Sequence, residues 1–137
     1  SVSPYLRAAR IKLVAPQPFP DHQVFVIMQD LYWAIVNVMK NGIDAINEGN
    51  PTDKTITLEI EPVDNHVQLT IWDSGPGVPE EVKGRLFEPF YTTKKLGQGN
   101  GLGLSMSRTN LRRWGSELEF EDAPGGGATF VLKVPLA

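Results

Sequence analysis

Apolar residues return at three- and four-residue steps along LYWAIVNVMKNGIDAIN, residues 31 to 47. At ~100° per residue, Leu31, Ile35, Val38, Met39, Gly42, Ala45 and Ile46 share one face, which predicts a helix packed on a sheet. Asp30 is placed to cap it, and Gly49, Asn50 and Pro51 to stop it. Gly42 on the apolar face is expected where helix and sheet approach closely. Before this helix the pattern predicts a helical turn in YLRAAR, a strand at 11–14 (IKLV), a proline loop in PQPFPDHQ and a buried strand at 24–28 (VFVIM). After it, strict alternation in 54–61 and 66–72 predicts an antiparallel hairpin turning at Val63, Asp64 and Asn65.

Periodicity fails from Asp73 to Gly99, a stretch rich in Gly and Pro that reads as a lid or binding loop interrupted by a short helix at 80–87. A second helix is expected at 102–114 with Gly115 as its stop, followed by the strands SELEFE and ATFVLKVP around a glycine turn. This order of elements implies an α+β two-layer sandwich: a mixed, mostly antiparallel sheet with helices on one face. The 137 residues make one domain, with 1–10 as a candidate remnant of a preceding linker or phosphoacceptor domain and a lid over about 74–100.

Charge removes some classes of function. With 13 basic and 16 acidic residues the net charge is -3, so no broad surface for duplex nucleic acid is indicated. The absence of Cys excludes a disulfide framework and suits a reducing compartment. No apolar run is long enough to span a membrane or act as a signal peptide, so no membrane contact is expected of this stretch.

Chemistry concentrates in three places. Asn37, Asn41, Asp44 and Glu48 lie opposite the apolar stripe, and Asn is a mediocre helix former, so two of them one turn apart ask for a reason. Amide oxygens beside a carboxylate suit Mg²⁺ that carries a phosphate, although the face alone reads more simply as a solvated surface. Gly97, Gly99, Gly101 and Gly103 alternate just before the second helix, where bare backbone N–H groups and the helix dipole attract an anion. In IWDSGPGVP, Asp73 at a strand end can accept a hydrogen bond from an exocyclic amine while Gly75 and Gly77 make room for a flat ring; taken alone, Asp73-Ser74-Gly75 simply turns the chain.

Together these stretches resemble the ATP-binding domain of the GHKL superfamily, with its Bergerat-type fold, and most closely the catalytic domain of two-component sensor histidine kinases. NVMKNGIDA resembles the N box, DSGPGVP the first glycine box, LFEPFYTTKK the F box and GNGLGLS the second glycine box, in the family's order. The resemblance covers about residues 30 to 135. It implies ATP and Mg²⁺ as cofactors, with Asn41 binding the metal and Asn37 assisting directly or through water. It implies that Asp73 holds the adenine amino group, that Thr129 supports it through a shared water, and that Gly75 and Gly77 border the base. Gly99, Gly101, Leu102 and Gly103 would hold the phosphates. Lys94 is the first candidate for the lid cation at the γ-phosphate, ahead of Lys95, Lys40 and Arg108, and Phe87, Phe90 and Tyr91 are expected to pack the lid.

The resemblance further implies transfer of the γ-phosphoryl group to a histidine on a separate dimerisation and phosphoacceptor domain of the same kinase, a response regulator downstream, and a homodimer formed through that other domain. A cytoplasmic location follows, with the parent protein free to be membrane-anchored. His22 and His66 lack phosphoacceptor surroundings and are expected at the surface. Two alternatives stand beside this: a GHKL serine kinase or ATPase, and a nucleotide-independent interaction module. Where hydrolytic members of the superfamily carry a Glu, this chain has Asn37, whose amide cannot take a proton from water.

Overall fold

In a computed structural model the described residues are 3–16, 21–91, 103–123 and 126–137. They form α1 (Ser3–Ala9), β1 (Lys12–Val14), α2 (Met28–Gly49), β2 (Thr55–Val63), β3 (His66–Asp73), α3 (Glu80–Lys83), α4 (Gly103–Arg112), β4 (Glu117–Asp122) and β5 (Ala128–Pro135). The strands make one five-stranded sheet in the order β1-β2-β3-β5-β4. Only β1 and β2 run parallel, and α2 is the crossover that such a pair requires. The remaining pairs are antiparallel, so the expected mixed α+β sandwich is the observed one.

Side-chain alternation sets the layers. Along β3 the buried residues are Val67, Leu69, Ile71 and Asp73, and the partners opposite Leu69 and Ile71 are Leu132 and Phe130 of β5. Their face joins Ala34, Val38, Met39, Ile43 and Ile46 of α2 and Leu111 of α4 in one core. A fully buried aliphatic side chain such as Ile46 or Leu132 contributes roughly 1.5–3 kcal/mol. The close approach expected at Gly42 is present: a Cβ there would lie 3.3 Å from both the Cβ of Asp73 and the Cδ1 of Ile56.

Helix ends follow backbone chemistry. Asn50 closes α2 in the left-handed conformation at φ 45, its N–H donating to the Ile46 carbonyl at 2.8 Å. Gly115, at φ +89, donates to the Arg112 carbonyl while Ser116 donates to that of Leu111, the paired bonds of a Schellman stop. At the other end, Asp30 does not cap α2; the helix starts earlier, after Ile27, and Asp30 sits in the first turn, where its charge suits the helix dipole.

Three other expectations are corrected. Residues 24–28 are no strand: Val24 forms a single bridge to Leu136 and Met28 already begins α2, because a short apolar run does not distinguish a strand from the approach to a helix. The helix expected at 80–87 ends after one turn at Gly84, and a chain of turns carries on to Tyr91. His66 is only partly at the surface: it opens β3 half-buried, and its Nε2 is buried without a partner among the described residues.

Glycine at 127 is a packing requirement. A Cβ there would overlap the carbonyl oxygen of Asp73, backbone that cannot swing aside. Gly127→Ala should therefore lower stability by about 1–3 kcal/mol, read as a fall in Tm. Gly84→Ala is the control, because nothing lies within 4 Å of a Cβ there. Equal melting temperatures for the two variants would contradict this account of the β3–β5 junction.

Candidate functional site

The ends of β3 and β5 and the polar side of α2 enclose a cleft of about 510 Å³. Asn41, Asp44, Ala45 and Glu48 form its α2 wall, and Pro76, Gly77, Val78 and Pro79 its rim. Val82 and Leu86 close it from the α3 side, with Ala128 and Phe130 from β5. Its floor carries Asp73, only 6% exposed.

Asp73 is an anion held where water is scarce. Burial pushes its carboxyl above the ordinary value, and the backbone N–H groups of Gly75 and Ala128 only partly offset that. Both donate to Oδ1, at 2.9 and 3.5 Å, which leaves Oδ2 without a hydrogen bond among the described residues. Such an acceptor, at the bottom of a mostly apolar cleft, suits the amine edge of a flat heterocycle. The backbone beside it is packed too tightly for side chains at two positions. A Cβ on Gly75 would come within 2.9 Å of Asp73 Oδ1 and 3.0 Å of the Ala45 Cβ, and one on Gly77, at φ +83, within 2.5 Å of the Gly126 carbonyl oxygen.

The two asparagines of α2 part company here. Asn41 stands in the cleft wall, where its hard oxygen and those of Asp44 and Glu48 suit Mg²⁺ shared with a phosphate chain. Asn37 instead turns toward α4, where its Nδ2 donates to Ser107 Oγ at 2.8 Å and to the Gly103 carbonyl at 3.2 Å.

Thr129 is not brought to the site. It pairs with Trp72, while Asp73 and Ala128 stand on the next rung, so Cβ alternation sends Thr129 to the opposite face of the sheet from Asp73. Its Oγ1 is buried there without a partner among the described residues, and Ala128 occupies the cleft position instead.

The lesser cation candidates are engaged elsewhere. The Arg108 guanidinium stacks 4.2 Å over the Phe87 ring with its Nε 3.4 Å from Glu117, and Lys40 lies 6.0 Å from the Tyr5 ring. Phe87 packs edge-on against Phe130 at 6.4 Å and Tyr91 lies under Arg85 at 4.4 Å, but Phe90 is 73% exposed and packs nothing shut. Lys94, Lys95, Gly97, Gly99, Gly101 and Leu102 lie outside the described residues. The apolar walls at Ala45, Val78, Val82, Ala128 and Phe130 are not among the predicted site residues, because nothing in an aliphatic or Phe side chain marks it as lining rather than core.

A family model described as histidine kinase-, DNA gyrase B-, and HSP90-like ATPase matches residues 28–137. The two-component sensor PprA of Pseudomonas aeruginosa is 36% identical over 136 residues, covering 96% of this chain and 14% of that protein. The C4-dicarboxylate transport sensor protein DctS of Rhodobacter capsulatus is 29% identical over 136 residues, 98% of this chain and 20% of the relative. The chain thus spans a fifth or less of the length of these two relatives. Among solved structures, the nucleotide-free catalytic domain of histidine kinase ThkA superposes with a TM-score of 0.79 at 28% identity, covering 98% of this chain and 85% of that one. ThkA in complex with response regulator protein TrrA gives 0.77 at 25%, covering 99% and 37%.

Proposed function

Because the chain belongs to the histidine kinase-, DNA gyrase B- and HSP90-like ATPase family, we propose that it is the catalytic domain of a sensor histidine kinase, passing the ATP γ-phosphoryl group to a histidine on a separate dimerisation and phosphoacceptor domain of the same protein. The observation that carries the nucleotide half is Asp73: a buried carboxylate with one oxygen unbonded among the described residues, facing a cleft beside Gly75 and Gly77, where a side chain does not fit. The sensors among its relatives support the histidine-kinase half. A response regulator as the downstream partner is supported by the ThkA–TrrA complex; a homodimer formed through the phosphoacceptor domain belongs to the same proposal. Among the described residues no helix is long and apolar enough to cross a membrane.

The residues take the following parts. Asp73 accepts the adenine amino group, with Gly75 and Gly77 bordering the ring and Ala45, Leu86 and Phe130 packing around it. Asn41 holds Mg²⁺, which when bound neutralises phosphate charge. Gly103, at the start of α4, takes the phosphates; the proposal gives Gly99, Gly101 and Leu102 the same role and Lys94 the γ-phosphate. Catalysis then consists of positioning the phosphoryl group for an acceptor that comes from outside the domain.

The test supplies the phosphoacceptor helices of the parent protein in trans with ATP labelled at the γ-phosphate. Label is expected on those helices as an acid-labile phosphohistidine, and the domain alone should neither label itself nor turn over ATP quickly. Acid-stable label on the partner, or label on the domain itself, would favour the serine-kinase alternative.

A further inference from the structure

Asn37 spends its amide on α4. Its nitrogen bonds both the Oγ of Ser107, 4% exposed, and the carbonyl of Gly103, the first described residue of the helix. A carbonyl oxygen can only accept, so the Gly103 bond fixes the amide with its NH₂ group toward α4. The fit is close: a Cβ on residue 103 would stand 3.3 Å from both Cγ and Oδ1 of Asn37, so the first turn of α4 rests directly on this side chain. Asn37 is also one turn before Asn41 on α2, and therefore ties the start of α4 to the segment that carries the cleft's α2 wall. A carboxylate at position 37 would set oxygen against the Gly103 carbonyl, which gives an amide at this place a physical reason separate from metal binding.

We infer that Asn37 is a positioning residue: by bonding Ser107 and Gly103 through its amide nitrogen it fixes the first turn of α4, where the nucleotide phosphates are received. The inference rests on the nucleotide-binding reading above. Unlike a metal ligand, a positioning residue acts with or without Mg²⁺, and it needs Ser107 as its partner.

Calorimetric titration with ADP and with adenosine, each in Mg²⁺ and in EDTA, compares the parent chain with Asn37→Ala, Ser107→Ala and the double variant. Asn37→Ala and Ser107→Ala should each weaken ADP about fivefold, alike in Mg²⁺ and EDTA, and leave adenosine within about twofold. The double variant should lose less than the product of the two single losses, because both remove one interaction. In the nucleotide-free protein both variants should speed amide hydrogen exchange in the first turns of α4. An Asn37→Ala loss that vanishes in EDTA while Ser107→Ala matches the parent would make Asn37 a metal ligand and overturn the inference. Losses as large for adenosine as for ADP would reduce the contact to general packing and overturn it too. A parent chain that binds neither ligand would overturn the nucleotide reading and this inference together, which sets that failure apart from the other two.

Discussion

Asp73→Asn should weaken adenine nucleotides roughly 10- to 150-fold, the equivalent of losing a charge-assisted hydrogen bond of ~1.5–3 kcal/mol, and leave inorganic triphosphate unaffected. The cause is local: the open Oδ2 of Asp73 becomes, in one rotamer, an NH₂ group facing an amine that can only donate, while Oδ1 goes on accepting from Gly75 and Ala128. The same variant should make the empty domain more stable. Burial raises the folded-state pKa of Asp73 above its unfolded value. The cost of the buried anion is therefore absent below the unfolded pKa, appears as pH rises through the folded one, and is fully present above it. Asn carries no such cost, so the two melting temperatures should converge in acid and separate toward neutral pH, with the variant higher. Calorimetry with ATP and with triphosphate, and thermal melts of the nucleotide-free protein across that range, check the two halves. Parental affinity for ATP in the variant would remove Asp73 from the base site. A lower melting temperature at neutral pH would show that the carboxylate holds the fold together and is not kept for a ligand.

That a residue so costly to bury could be singled out in advance shows where sequence is informative. Asp73 ends the alternating run Val67, Leu69, Ile71 on its buried side, but Asp73-Ser74-Gly75 taken alone reads as a turn, and it is the resemblance of DSGPGVP to a glycine box that singles the carboxylate out. Gly42 and Gly115 were equally readable, since close approach of helix to strand and a left-handed helix stop each require what glycine alone supplies cheaply. Thr129 shows the opposite. β5 lies between β3 and β4, and Ala128, Thr129, Phe130, Val131 and Leu132 are all buried, so the strand offers no polar alternation from which to tell its two faces apart. Only pairing with β3 settles the matter, by setting Thr129 opposite Trp72 and leaving Ala128 beside Asp73. Asn37 was visible as an anomaly in its helix, but its partners Gly103 and Ser107 lie 66 and 70 residues further along the chain. Periodicity assigned it to the polar face of α2; the docking of a second helix on that face decides what it touches.

Asn41, on the same stripe, reaches the cleft, and its removal should have the largest effect on catalysis. On the proposed reading Asn41→Ala deletes a metal ligand and should lower phosphoryl transfer to the phosphoacceptor helices by roughly 100- to 1,000-fold, the range seen when a single group stabilising transition-state charge is lost. Asn41→Asp should fail for a different reason. The α2 wall already presents Asp44 and Glu48, and a third carboxylate adds negative charge facing the phosphates and removes the amide's donor. Neither variant should much affect the base, because Asp73 and the glycines around it are untouched. Adenosine affinity should therefore stay within about twofold of the parent, the additivity expected of separated sites. Single-turnover transfer of labelled phosphate in trans, run beside adenosine titrations, separates the two effects. Parental transfer by Asn41→Ala would mean that the metal is held elsewhere. Loss of adenosine binding together with transfer would show that the substitution had collapsed the α2 wall, and that the asparagine is there for packing.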